Sequence, residues 1–204
     1  GRTAKLLNYL QDTDKRYTAS VKLGARTDTL DKTGSIVATS QRSVNIGDIK
    51  RALAKFIGEI EQVPPMYSAV KKDGGRLYDL ARQGKEVHRE KRKVRINSIN
   101  LLSFDEQNQR LILDIDCSSG TYIRTLADDL GEILGTYAHL CALRRTSACG
   151  FDENVSVKID DISASEPFKH VIAADTAFKS CSAAYVSPAQ SVRLINGGWL
   201  DINR

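Results

Sequence analysis

Between Arg110 and Leu134 the apolar residues change period once, and that change calls for a strand, a sharp break and a helix in direct succession. Leu111, Leu113, Ile115 and Cys117 stand at every second position. A period of two puts them on one face of a half-buried strand. Ser118-Ser119-Gly120 then breaks the pattern. After it, Ile123, Leu126, Leu130 and Leu134 recur at helical spacing within Tyr122–Leu134. Upstream, Val94–Phe104 with Ile96 and Ile99 reads as the antiparallel partner strand, joined across Asp105–Gln109. A hairpin followed by a helix is a piece of an α+β arrangement; a doubly wound parallel sheet would alternate strand and helix throughout.

The remaining segments extend the pattern. Thr3–Leu10 reads as a short amphipathic helix and Arg16–Leu23 as a half-buried strand. Ala25–Gly34 is a turn-rich connection in which Asp28 and Asp31 read as turn residues, and Ser35–Thr39 returns as a strand. Asn45–Ile57 has helical spacing, with Gly58 where a C-cap belongs. Gln62-Val63-Pro64-Pro65 is extended because proline restricts its predecessor. Tyr67–Lys71 reads as a short strand, Asp73-Gly74-Gly75 as a turn and Arg76–Gln83 as a helix closed by Gly84. His139–Arg145 is a strand, and an irregular tail begins at Lys158–Ile162. Pro188–Asn196 is a helix with Ser187 as N-cap. The expected fold is α+β: a mixed, largely antiparallel sheet with flanking helices. Residues 1–165 are expected to form the main domain, and residues 166–204 a connector with the start of a small C-terminal subdomain.

At 204 residues, with 41% hydrophobic and 27% charged residues, the chain has room for one core and a small appendage. No stretch approaches the ~18 apolar residues of a membrane span. Cys117, Cys141, Cys149 and Cys181 include no C-x-x-C pair, and His88, His139 and His170 stand far apart. Clustered ligands are what a zinc site needs, so no metal is expected, and reduced thiols fit a cytoplasmic compartment. The net charge of +5 is concentrated. Ten Lys and Arg between Lys71 and Arg95 oppose only four Asp and Glu. Such a patch on a near-neutral body suits a polyanion, although a solvated loop has the same composition.

Three strings carry the candidate chemistry: Asp14-Lys15-Arg16-Tyr17, Pro64-Pro65-Met66-Tyr67-Ser68-Ala69-Val70-Lys71, and Ser119-Gly120-Thr121-Tyr122-Ile123-Arg124-Thr125-Leu126. Arg124 falls in the first turn of a helix, where the dipole favours acids. A cation placed there against the dipole points to a carboxylate or phosphate partner, or else to a plain surface arginine. On spacing alone Tyr17 is equally a core tyrosine, and Leu143 a core leucine.

Together these strings resemble the bacterial tRNA pseudouridine synthase family of the TruB type. The matching stretches run in order from Gly1 to about Phe151, including S-G-T-Y-I-R-T-L-A-x-D-L-G and V-P-P-M-Y-S-A-V-K followed by G-x-R-L-Y-x-L-A-R-x-G. The resemblance implies isomerisation of a T-loop uridine. The base is flipped from its stack, detached and rejoined through carbon by a carboxylate nucleophile, without cofactor or metal. By the same resemblance, Tyr17 lies against the flipped base and serves to remove the ring proton. Arg124 pairs with the catalytic carboxylate, Tyr122 shapes the site and Leu143 walls the uracil pocket. Lys5 lies near the RNA, and residues 71–95 form an RNA-gripping insertion with Lys71, Lys72, Arg76, Arg82, Lys85, Arg89, Lys91, Arg92 and Lys93. The partner is then the T-arm of tRNA, and a monomer is expected. The family's G-x-L-D-x-x-A-x-G string is expected upstream of Gly1, so these 204 residues alone are expected to leave a sheet edge unpaired and to bind RNA without turnover. The alternatives that stay open are a non-catalytic RNA-binding module, a guide-dependent archaeal or eukaryotic relative, and an α+β protein unrelated to RNA.

Overall fold

The computed structural model describes residues 2–10, 13–68, 70–72, 75–85, 87–163, 165–166, 168–178 and 181–200. In chain order the elements begin with a 3-10 turn (Arg2–Leu6), α1 (Leu7–Leu10), β1 (Lys15–Leu23), β2 (Ala25–Thr27), β3 (Ile36–Thr39), α2 (Ile46–Ala54) and β4 (Gly58–Gln62). They continue with β5 (Lys71–Lys72), β6 (Gly75–Arg76), α3 (Leu77–Arg82), β7 (Arg92–Asp105), β8 (Arg110–Cys117), α4 (Ile123–Leu134), β9 (Ala138–Ala148) and β10 (Phe151–Asp152). Short 3-10 turns at Glu153–Val155 and Ile159–Asp161 follow.

Six strands form one sheet in the order β10-β9-β1-β8-β7-β4, and every pairing in it is antiparallel. The fold is therefore α+β, as the period change at residues 117–122 requires. β1 sits centrally, with Tyr17 opposite Ile115 on one side and Arg145 on the other. Ala19, Val21 and Leu23 of β1 join Leu111, Leu113, Ile115 and Cys117 of β8 in the core. The helices close that core with Ile49, Ala52 and Leu53 from α2 and Ile123, Leu126, Ala127, Leu130 and Leu134 from α4. On β1 and β8, polar residues alternate with this set. There Arg16 grips Asp114 bidentately, Nε to Oδ1 at 2.8 Å and Nη2 to Oδ2 at 2.6 Å. This guanidinium holds the Asp114 carboxyl below the usual carboxylate range. Burial pushes the Cys117 thiol up to about 11, so it packs as a neutral side chain.

Local chemistry fixes the helix ends. Asn45 caps α2 reciprocally with Asp48. Gly135 closes α4 in the left-handed region at φ +67°. Residues 171–204 form a separate compact unit with a 3-10 turn (Ala174–Phe178) and α5 (Pro188–Ile195), which Ser187 caps with Gln190. No helix among the described residues is long and apolar enough to cross a membrane.

Three segments differ from their sequence reading. Thr3–Leu10 is a 3-10 turn and a four-residue helix in which Leu10 is buried while Leu7 and Tyr9 remain 57% and 77% exposed. Gly58 does not cap α2, which ends at Ala54 with Lys55 as C-cap. Phe56 turns back into the core, and Gly58, at φ +103°, opens β4 instead. Of the expected strand Tyr67–Lys71 only Lys71 is extended, in β5; Tyr67, Ser68 and Val70 lie outside any strand, the Ser68 and Val70 carbonyls accept the Tyr78 and Leu77 amides at the start of α3, and Ala69 lies outside the described residues. The expected turn residues Asp73 and Gly74, and the side chains of Lys71 and Lys72, lie outside the described residues.

α4 meets the start of β9 almost backbone to backbone. A Cβ built on Gly131 would lie 2.3 Å from the Ala138 amide nitrogen and 2.4 Å from the Tyr137 carbonyl carbon. Gly131→Ala should therefore lower stability by about 1–3 kcal/mol, read as a drop in urea midpoint at unchanged m-value.

Candidate active site

α4 begins where the chain leaves β8 and turns at Ser118–Gly120, and Arg124 lies in its first turn. Its guanidinium does not face open solvent. Nη1 donates to Asp31 Oδ2 at 3.0 Å, and Nη2 donates to the Tyr67 carbonyl. The two side chains of the ion pair are only 20% and 23% exposed. The cation that runs against the helix dipole thus has its carboxylate, and this chain supplies it. On sequence Asp31 reads as a turn residue alone; the structure adds its ion pair with Arg124.

The connection from Thr27 to Ser35 explains why a turn residue reaches the helix. Asp28 accepts the Ser35 amide at 2.9 Å, and Gly34 sits so close to Asp28 and Thr29 that a Cβ would lie 2.2 Å from the Asp28 carboxylate. Leu30 is held at φ +64°, a region that costs a branched residue backbone strain. The strain is offset by two hydrogen bonds to β9: Leu140 N–H to the Leu30 carbonyl at 3.0 Å, and Lys32 N–H to the Leu140 carbonyl at 2.8 Å. Asp31 is thereby aimed at Arg124. Its carboxylate also accepts the Thr29 hydroxyl at 2.9 Å, the Thr33 amide at 3.0 Å and the Thr33 hydroxyl at 2.5 Å. Burial pushes this carboxyl up, but the hydrogen bonds from Thr33, Thr29 and Arg124 outweigh it, and the net effect holds Asp31 below its ordinary value.

A second pair of opposite polarity braces the same connection to α4. Arg26 Nη2 meets Asp128 Oδ2 at 2.6 Å, and Nη1 meets Glu132 at 3.4 Å. Burial raises the Asp128 carboxyl, with Arg26 opposing. Burial and the charges of Asp128 and Glu132 push Asp129 up to about 6.

Asp28, Thr29, Asp31, Thr33, Tyr67, Arg82 and Arg124 line a cleft of about 440 Å³. Arg82, from the end of α3, brings one residue of the basic insertion into the same cleft. Tyr17 and Leu143 do not line this cleft. They sit on an adjoining part of the sheet, where Tyr17 pairs with Arg145 and Ala19 with Leu143 across β1 and β9. Leu143 is 47% exposed, so it is not a core leucine. Tyr17 is half-buried against the core; burial raises its phenol above the ordinary value, chiefly against the opposing influence of Arg145. The free protein therefore holds Tyr17 as the neutral phenol. Tyr122 is the N-cap residue of α4, and Lys5 is exposed in the first 3-10 turn.

The remaining basic candidates divide by what they already hold. Lys93 pairs with Glu59 at 2.8 Å across β4 and β7, and Lys91, just before β7, pairs with Glu61 at 3.4 Å. Arg89 is half-buried and donates to the Pro64 carbonyl at 3.1 Å, which makes it a fastener of the insertion's base. Arg76 and Arg82 lie 5.9 and 5.4 Å from the Tyr78 ring centre. Lys85 and Arg92 are exposed. Arg92, Lys93 and Arg95 belong to β7, so the part outside the six-stranded sheet is shorter than the basic run. Among the described residues no group of three or more His, Cys, Asp and Glu side chains is placed to hold a metal.

The model of the TruB family pseudouridylate synthase N-terminal domain matches residues 1–123, and that of the tRNA pseudouridylate synthase B C-terminal domain matches residues 124–179. A tRNA pseudouridine synthase B of Aliivibrio fischeri (strain MJ11) is 44% identical over 164 residues, 80% of this chain and 51% of the relative. The protein of the same name from Thiobacillus denitrificans (strain ATCC 25259 / T1) is 48% identical over 151 residues, 74% of this chain and 50% of its own length. The chain thus spans about half the length of these relatives. A chain in the crystal structure of a Cbf5-Nop10-Gar1 complex shares the fold, with a TM-score of 0.63 at 23% identity, covering 85% of this chain and 45% of that one. On these matches, and with the strings at residues 63–84 and 119–131 in place, the chain belongs to the TruB family of pseudouridylate synthases.

Proposed function

We propose that this protein takes part in isomerising a uridine of the tRNA T-arm to pseudouridine, in the cytoplasm and as a monomer. The observation that carries the reading is the guanidinium of Arg124, held at the head of α4 inside a polar cleft by Asp31 and the Tyr67 carbonyl. Arginine has five N–H donors in a fixed fork, so a guanidinium that gives one to Asp31 and one to Tyr67 keeps others for an incoming carboxylate. That carboxylate is the nucleophile in this reading. No G-x-L-D-x-x-A-x-G string occurs among these residues, and Asp31 is committed to Arg124 and the Thr29–Thr33 turn. Tyr17 then packs against the flipped base, with Leu143 as the exposed apolar surface beside it. Tyr17 removes the ring proton only once its own phenol has given up its proton, which burial opposes and Arg145 favours.

Phosphate binding falls to the basic insertion. Among the described residues, Lys85, Arg82 and Arg92 enter none of the ion pairs that hold Lys91 and Lys93, which must leave Glu61 and Glu59 first. A-form RNA is read largely by shape and phosphate, which suits a charged insertion beside a cleft.

The reading is tested by incubating unmodified T-arm RNA with the full gene product and with residues 1–204 alone, and assaying pseudouridine. Product from the first and none from the second is expected. Turnover by residues 1–204 would overturn the assignment of the nucleophile, and none from the full product would overturn the activity.

Arg124→Lys keeps the charge but loses the fork, and should slow single-turnover isomerisation by about 100-fold or more with RNA affinity changed by less than about threefold. Asp31→Asn should cost about 1–3 kcal/mol of stability at pH 7, since it leaves a partly buried guanidinium short of its acceptor. Because Asp31 titrates below its unfolded value, this difference between native and variant should persist at neutral pH and vanish as pH falls through the folded pKa. Finally, Lys85→Ala and Arg92→Ala should each flatten the slope of log affinity against log salt by about one, and Lys91→Ala by clearly less.

A further inference from the structure

Tyr122 occupies the N-cap position of α4 but gives the helix no side-chain cap. The residue that holds it lies sixty positions upstream in the chain. Gln62, the last residue of β4, is only 2% exposed. Its Oε1 accepts the Tyr122 amide at 3.0 Å, and its Nε2 donates to the Tyr122 carbonyl at 3.4 Å. That carbonyl also takes the first helical amide, from Leu126, at 3.1 Å. A carboxamide presents an acceptor and a donor side by side, so this pairing copies one rung of a β-ladder onto the residue that starts the helix. Five residues beyond Gln62, the Tyr67 carbonyl accepts Nη2 of Arg124. The intervening Pro64 and Pro65 restrict the backbone between those two contacts. The segment 62–67 therefore touches the helix head twice, at the backbone of Tyr122 and at the guanidinium of Arg124.

We propose that Gln62 is a positioning residue for the isomerisation. Its carboxamide sets the height and rotation of the first turn of α4, and through it the direction of the Arg124 guanidinium, without itself touching the substrate. The proposal rests on the reaction assigned above. A buried amide needs its hydrogen bonds satisfied, and both partners of this one belong to a single residue two places before the arginine. An acceptor in that place without a donor would satisfy the Tyr122 amide but repel its carbonyl.

The test uses Gln62→Ala and Gln62→Glu. In the full gene product, Gln62→Ala should lower kcat by about 10- to 100-fold, with KM for T-arm RNA within about threefold, as expected when a reacting group is misplaced by a fraction of an ångström to an ångström. In Gln62→Glu the neutral carboxyl can both accept and donate, whereas the carboxylate cannot donate. Burial raises the introduced group above the ordinary ~4.3 of glutamate. The kcat of Gln62→Glu relative to the native protein should therefore climb as pH falls from 8 to 5.5. A flat ratio, or a Gln62→Ala kcat within about twofold of native, overturns the proposal. A parallel measurement does not depend on the reaction: guanidinium NMR of Arg124 in residues 1–204. The native chain should show Nη protons slowed by Asp31 and Tyr67, and Gln62→Ala should lose that pattern while still unfolding cooperatively. An unchanged pattern overturns the proposal even in a protein that makes no pseudouridine. If Gln62→Ala does not fold, Gln62→Glu at low and high pH carries both measurements.

Discussion

One guanidinium ties together three parts of the chain that are remote in sequence. Arg124 projects from the first turn of α4, Asp31 comes from the connection between β2 and β3, and the Tyr67 carbonyl comes from the segment that follows β4. A cation at a helix N-terminus is unfavourable by itself, because the unpaired amides there carry partial positive charge. It persists here because the carboxylate is close, four hydrogen bonds hold that carboxylate, and both side chains are largely withdrawn from water. Such a pair falls between the exposed ion pair, which contributes little, and the fully buried one, whose desolvation costs several kcal/mol per ion. Its value lies in direction: it gives the cleft one cation of fixed orientation.

That orientation is inherited from packing. The core fixes α4 against β1 and β9, and the missing side chain of Gly131 lets the helix approach the backbone of Tyr137 and Ala138. The β2–β3 connection in turn is fastened to β9 at Leu140 by two backbone hydrogen bonds, with Leu30 held at positive φ to make them. Arg26, Asp128 and Glu132 add a second tie between connection and helix. Strain at Leu30, close approach at Gly131 and the two sets of ion pairs form one mechanical unit.

Much of this was legible in the sequence. The alternation of Leu111, Leu113, Ile115 and Cys117, followed by helical spacing from Ile123, is local periodicity, and the structure follows it closely. The cap at Ser187 is local too. The failures were equally physical. Leu7 and Tyr9 have helical spacing but stay exposed, and Phe56 turns inward before Gly58. Asp31 showed only its short-range signal, the acceptor of Thr33, which is what a turn aspartate does. Its partner lies 93 residues away, and nothing in a Thr-Leu-Asp-Lys-Thr string reports that distance.

The sequence by itself determined the α+β class and the strand–glycine–helix unit that carries Arg124, because each depends on residues within a few positions of one another. Only the tertiary structure decided which carboxylate pairs with that arginine, that Gln62 holds the backbone of Tyr122, and which cations of the basic run are already taken by Glu59, Glu61 and the Pro64 carbonyl. These are contacts between distant segments. Strand register and helix docking set them, and both are products of the whole core.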